Sequence, residues 1–252
     1  MVKHQVISIN ISTGTYKDFV TRLIEMSGER STYTCVANVH MLVEAHKDKA
    51  FSAIVNNAEL VTPDGMPLVW GLKLLHRLKQ ERVAGSDLLP DLLREAELHS
   101  IPVYFYGGTE AMISKIETAL QPKYPALKIA GLYSPPFRPL TGEEEQAVIE
   151  RINGSGAKIV FVVLGCPKQE KWMSSMKGKI NAAMIGVGAA LPVMIGLQAR
   201  APKWMQKAGL EWFFRLCQEP RRLIKRYTIT NTLFLFLLMK EKFQSKRRKV
   251  IH

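Results

Sequence analysis

Ile159-Val-Phe-Val-Val-Leu164 is an unbroken apolar run rich in β-branched residues, and Gly165-Cys166-Pro167 ends it before Lys168-Gln169-Glu170-Lys171-Trp172. The run is too short for a globular helix and suits a strand buried on both faces. Such strands belong to parallel sheets, whose crossover helices cover both sides. Working outward, Val6–Ile9, Tyr33–Val36, Leu60-Val61, Val103–Tyr106 and Ala182–Val187 read as further strands. Amphipathic stretches separate them. One runs from about Tyr16 to Met26, and Asn38 opens another. Leu88, Leu89, Leu92, Leu93 and Ala96 share a helical face, as do Met112, Ile113, Ile116, Ala119 and Leu120. Strands alternating with helices predict an α/β fold: a Rossmann-like, mainly parallel sheet with helices on both faces.

Charge divides the chain. The 252 residues carry a net +13, yet residues 196–252 hold 14 Lys/Arg against 3 Asp/Glu, while residues 1–195 hold 21 against 19. The basic part also carries Trp204, Trp212, Phe213, Phe214 and the run Leu233–Met239. This division predicts an α/β catalytic domain over 1–195 and a helical, basic, membrane-associating appendage over 196–252, drawn to an anionic lipid surface. The apolar segment Ile229–Met239 is interrupted by Thr230, Asn231 and Thr232. It falls short of the roughly 20 apolar residues a spanning helix needs, so it is expected to lie in the interface. The N-terminus lacks a signal-peptide pattern. Three scattered cysteines argue against a disulfide framework and for a reducing compartment. The expected location is therefore cytoplasmic, attached peripherally to the inner face of the membrane.

In parallel α/β folds the loops at the carboxyl ends of the strands share one edge, where ligands bind. Asn38, Asp64, Gly107-Gly108, Gly165–Gln169 and Gly188 each follow a predicted strand. Asp64, in Thr62-Pro63-Asp64-Gly65-Met66-Pro67, reads either as turn or helix-cap chemistry or as a general base between rigid prolines. Arg82, before Gly85 and a helix, suits an anion, while Ser86 or Asp87 is a plausible helix cap. Gly107 and Gly108 would let a phosphate approach the backbone. Pro167 suits a first helical position, with Lys168 and Gln169 projecting from the first turn as an exposed helix start or a donor-rich rim. Gly186-Val-Gly188-Ala-Ala-Leu191 misses the dinucleotide fingerprint and reads as close packing or a ligand loop. No D-x-D pair, zinc spacing, G-x-S-x-G or P-loop occurs. No cofactor and no metal are expected.

Taken in order, Cys35-Val-Ala-Asn38-Val-His40, Pro63–Pro67, Glu81–Asp87, Tyr106–Gly108, Gly165–Glu170, Ala201–Trp204 and Glu219–Leu223 resemble the WecG/TagA/CpsF glycosyltransferases, glycosyltransferase family 26. The resemblance implies inverting, metal-independent transfer from a UDP-sugar to a polyprenyl-pyrophosphate-linked saccharide, in surface or extracellular polysaccharide synthesis. It implies Asp64 as base, Asn38 near the sugar, and Arg82 and Gln169 at the nucleotide or diphosphate. Arg215, Arg221, Arg222 and Arg226 become candidates for completing the site at the membrane. Where many members carry a threonine two residues before the asparagine, this chain has Val36. No nucleic-acid partner is implied, and the oligomeric state is open. The rival readings are a non-catalytic membrane-surface or nucleic-acid-binding α/β protein, and a nucleotide-dependent oxidoreductase, which the broken glycine fingerprint disfavours.

Overall fold

The computed structural model describes residues 1–29 and 31–250, without the side chains of Lys207 and residues 245–250. The last basic run of the tail, Lys246 to Lys249, thus lies outside the described side chains, as do residues 251 and 252. The central sheet is wholly parallel, with six strands in the order β4-β3-β8-β7-β5-β6. These are β3 (Thr32–Ala37), β4 (Leu60–Pro63), β5 (Val103–Gly107), β6 (Ile129–Tyr133), β7 (Ile159–Val163) and β8 (Ala183–Gly186). Every residue of β3, β5, β7 and β8 is buried, as the apolar run at 159–164 requires.

Two apolar layers cover the sheet. Helices α2 (Val39–Lys47), α3 (Lys49–Asn56), α4 (Met66–His76), α7 (Gly142–Gly154) and α8 (Lys168–Met176) pack on one face. Helices α1 (Tyr16–Met26), α5 (Gly85–Leu98), α6 (Glu110–Leu120) and α9 (Ala190–Met194) pack on the other. The helices after β3 and β7 therefore lie opposite the helix after β8, the strand between them. Chains leaving neighbouring strands toward opposite faces open a crevice at the carboxyl edge. Local signals set the helix starts. Thr15 and Asp18 form a capping box for α1, and the Asn38 side chain caps α2 by accepting from Met41 N–H at 3.1 Å.

The sequence reading differs in three places. Val6–Ile9 is not a strand but the turn of a hairpin between β1 (Val2–Val6) and β2 (Ile9–Thr13), with Ile7 at φ 58°. Both flanking residues are buried, which makes a turn look like a strand. The hairpin shields the β4 edge, where Ser12 Oγ accepts from Val61 N–H at 3.1 Å. The edge strand β6 escapes the reading because it is only partly buried and carries Gly131 at its centre. Neither Ser86 nor Asp87 caps α5, whose cap residue is Ala84, with no side-chain cap bond.

Helices α10 (Lys203–Lys207), α11 (Glu211–Gln218) and α12 (Pro220–Val250) form the basic part. Pro220 opens α12, where its missing N–H costs nothing. Among the described residues no helix is long and apolar enough to cross a membrane. The long helix has two faces. Phe234 and Leu238 join the core layer of α2 and α4, while Ile229, Leu235, Phe236, Met239 and Phe243 are exposed. Phe234→Ala should therefore cost about 3–5 kcal/mol in urea unfolding. Phe236→Ala should stay within about 0.5 kcal/mol. Two equally small changes would mean that α12 is not seated on the body.

Candidate active site

One cleft of about 1040 Å³ opens at the carboxyl edge of the sheet. The predicted residues Asn38, Asp64, Gly108, Lys168, Gln169 and Gly188 line it from the body, and Arg215, Arg222 and Arg226 from α11 and α12. Residues scattered over nearly the whole chain meet here because the parallel strands deliver their loops to one edge. Val36, standing in the threonine position, also lines it.

Asp64 sits on the floor. Its backbone N–H bonds to Ala37 O at 2.7 Å and Thr62 O at 3.1 Å, which pins the loop to the ends of β3 and β4. The helix-cap alternative does not hold: the cap residue of α4 is Gly65 (φ 117°), with no side-chain cap bond. Among the described residues nothing donates to the Asp64 carboxylate. Although the residue is partly exposed, its carboxyl group is closely surrounded by protein. That burial, reinforced by Glu211 and opposed by Arg215 and Arg82, raises its pKa to about 7.

Around this carboxylate the cleft is cationic. Arg138, Lys168, Lys171, Arg215, Arg222 and Arg226 line it, against only Asp64 and Glu219 among the acids. Arg222 pairs with Glu219, and Lys171 with Asp48, whereas Arg215 and Arg226 form no ion pair among the described residues. Helices α2, α6 and α8 also begin at the cleft wall, and their free N–H groups favour an anion. The surroundings therefore suit a ligand with several negative charges beside a group that must lose a proton. His40, quoted within a motif but given no role in the sequence reading, also lines the cleft. Burial and then Arg226 lower its pKa, which keeps the ring neutral at physiological pH.

Other residues support the walls. Gln169 does not project from α8 as predicted; it is 4% exposed. Its Oε1 accepts from Gly165 N–H at 3.2 Å, and its Nε2 donates to Glu170 at 2.7 Å. Gly186 makes room for it, since a Cβ there would stand 2.8 Å from Gln169 Nε2. The glycine pair around Val187 thus serves packing and lines the ligand cleft at once. Pro167 is the residue before α8, one position earlier than predicted. Glu170 has no role in the sequence reading beyond its place in the Gly165–Glu170 motif. It is fully buried, and burial lifts its pKa to about 7 despite the Gln169 bond. Tyr106 and Trp172 stack at 4.0 Å and 13° along the apolar part of the wall.

Three predicted residues do not reach the cleft wall: Gly107, Arg82 and Arg221. Gly107 is needed for packing, because at φ 103° its Cβ would lie 2.7 Å from Val163 O. Arg82 is occupied by Glu211 at 2.6 Å and Asp87 at 2.9 Å. Arg221 is exposed on the first turn of α12. No group of three or more His, Cys, Asp or Glu that could hold a metal occurs among the described residues.

The family model of the WecG/TagA/CpsF glycosyl transferases matches residues 4–248. The chain belongs to this family. Membership makes it a glycosyltransferase of cell-surface polysaccharide synthesis, and the cleft just described is its candidate active site.

The raised pKa of Asp64 has a consequence for stability. Between its ordinary value of 3.8 and about 7 the folded chain holds a proton that the unfolded chain has lost. Stability contributed by this group therefore falls as pH rises through that window. Asp64→Asn removes the cost of the buried charge. The variant should match the parent near pH 4 and exceed it at pH 8, by on the order of 2 kcal/mol, as read by thermal unfolding at the two pH values. A variant less stable than the parent at pH 8 would show that the carboxylate is held by partners instead.

Proposed function

We propose that the chain is an inverting, metal-independent glycosyltransferase that moves a sugar from a UDP-sugar to a polyprenyl-pyrophosphate-linked saccharide. The carrying observation is Asp64: a carboxylate with no hydrogen-bond or ion-pair partner among the described residues, on the floor of a cleft whose other charged lining is cationic apart from Glu219, which pairs with Arg222. In this reading Asp64 takes the proton of the acceptor hydroxyl. The hydroxyl oxygen attacks the anomeric carbon from the side opposite the diphosphate. The bond from that carbon to the diphosphate oxygen breaks, and UDP leaves with the electron pair. A base with a pKa near 7 is matched to this task at neutral pH. Arg215, Arg222, Arg226 and Lys168, with the helix N-termini, supply the positive charge that the departing diphosphate needs. Asn38 spends its Oδ1 on capping α2, which leaves its amide nitrogen for a sugar hydroxyl.

Residues 196–252 act as the membrane-associating appendage in this reading, at the inner face of the membrane. What supports it is the exposed face of α12, where Leu235, Phe236 and Met239 lie beside Lys240, and the exposed Trp204, Trp212 and Phe213 nearby in the chain. At roughly 1 kcal/mol per Lys/Arg near an anionic leaflet, such a surface holds reversibly. Because Phe234 and Leu238 are core residues, the anchor is better tested by surface substitution than by truncation at Pro220.

The decisive assay is UDP release from a panel of UDP-sugars with a lipid-pyrophosphate-sugar acceptor. Asp64→Asn should lower turnover about 10²–10⁴-fold while donor binding persists. Turnover within a few-fold of the parent would remove Asp64 from the chemistry. Activity should survive excess EDTA; complete loss, restored by Mg²⁺ or Mn²⁺, would overturn the metal-independent reading. Leu235→Ser with Phe236→Ser should weaken co-sedimentation with anionic vesicles and leave the activity on a short-chain soluble acceptor in place. Unchanged vesicle binding would remove the anchoring role from that face.

A further inference from the structure

Asp64 lies beside a chain of ion pairs that ties the appendage to the catalytic floor. Arg82 Nη1 meets Glu211 Oε2 at 2.6 Å, and Arg82 Nη2 meets Asp87 Oδ2 at 2.9 Å. The other oxygen of Asp87 is held by Arg200. All four side chains are at most one-third exposed, so solvent screens these pairs less than it would at the surface. Glu211 comes from α11, 129 residues beyond Arg82. The backbone carrying Arg82 is bonded to the loop of Asp64, since Val83 N–H donates to Pro63 O at 3.0 Å. The turn that leads into α11 is also pressed onto the helix that follows Asp64. Gly209 (φ 73°) lies so near Met66 that a Cβ there would stand 3.2 Å from it.

We propose that Glu211 is a positioning residue: by occupying the guanidinium of Arg82 it keeps that cation from neutralising Asp64, so that a competent base depends on α11 being seated. The charged groups that bear on Asp64 are Glu211 and Arg215 from α11, Arg82 from the loop before α5, and Asp87 from α5. Burial acts most strongly on Asp64, and Glu211 is the strongest of the charges, acting to keep the proton on. Arg82 and Arg215 act the other way. Without the Glu211 carboxylate, Arg82 keeps only Asp87, which Arg200 already shares. Its field then falls on Asp64, and the base weakens. Arg82 thus acts on the chemistry through Asp64 without touching the cleft wall.

This inference rests on Asp64 being the base, but its test need not. In full-length protein with ¹³C-labelled aspartate, the Asp64 carboxyl resonance is assigned by its loss in Asp64→Asn and titrated without donor or acceptor. Glu211→Gln should lower the midpoint by about one pH unit. Glu211→Asp, which keeps the charge, should stay close to the parent. Arg82→Gln should move the midpoint upward, which keeps the proposal testable if Glu211→Gln does not fold. An unchanged or raised midpoint in a folded Glu211→Gln overturns the proposal, as does an equal shift in Glu211→Asp, the mark of a merely structural role. In the pH–rate profile the acid limb of Glu211→Gln should move down with the midpoint. A midpoint that moves while the acid limb stays fixed upholds the coupling and overturns Asp64 as the base.

Discussion

The Asp64 carboxyl group is closely surrounded by protein on the cleft floor, under the influence of Arg215 and Arg82 and with no hydrogen-bond donor of its own among the described residues. Such a group is under two opposed pressures. Burial favours the protonated acid, and neighbouring arginines favour the anion. A base for neutral pH needs the two nearly balanced, and the balance is set by which cations are already neutralised by other acids. Arg82 is matched by Glu211 and Asp87, and Arg222 by Glu219, whereas Arg215 has no ion-pair partner among the described residues. The pairing pattern therefore matters more to Asp64 than the number of basic residues around it.

The same constraint explains how the last helices are attached. A helix that only anchored the protein to lipid would need one apolar face and a basic flank. Helix α12 has a second apolar face, with Phe234 and Leu238 in the core layer of α2 and α4. Its first turns bring Arg222 and Arg226 over the cleft, and α11 brings Arg215 and Glu211. Seating these helices brings the charges of Glu211 and Arg215 to bear on Asp64. The face turned outward carries Leu235, Phe236 and Met239 beside Lys240, so what that side meets need not disturb the cleft side.

Much of this was legible in the sequence because the strands are short, apolar and ended by glycine or proline. Runs such as 159–164 and 103–106 have one reading, and parallel topology then sends the loops behind them to one edge. Asp64, Asn38, Lys168 and Gly188 do meet at that edge. What was not legible depended on pairing across the fold. Arg82 read as an anion binder because nothing in its own segment reveals Glu211, 129 residues away. Gln169 read as a projecting donor because its burial depends on Gly186, whose close approach follows from β8 lying next to β7. Glu170 carried no signal beyond its place in a motif, since a glutamate in a first helical turn is ordinary surface chemistry. The Val6–Ile9 turn failed for a related reason: buried residues on both sides of a tight turn mimic a strand.

The glycines show how closely packing and site are joined. Gly186 and Gly188 line the cleft, yet their lack of side chains is what admits Gln169 against the end of β8. Gln169 in turn spends both ends of its amide on Gly165 and Glu170. The loop at 165–167 is thereby fixed to the start of α8, and the free N–H groups of that helix are held at the cleft wall. A residue at this position with no side-chain donor would take the Gln169 amide bond from the buried Glu170, a costly loss at a buried acid. Gln169 thus supports the start of α8 at the cleft wall, which it also lines itself.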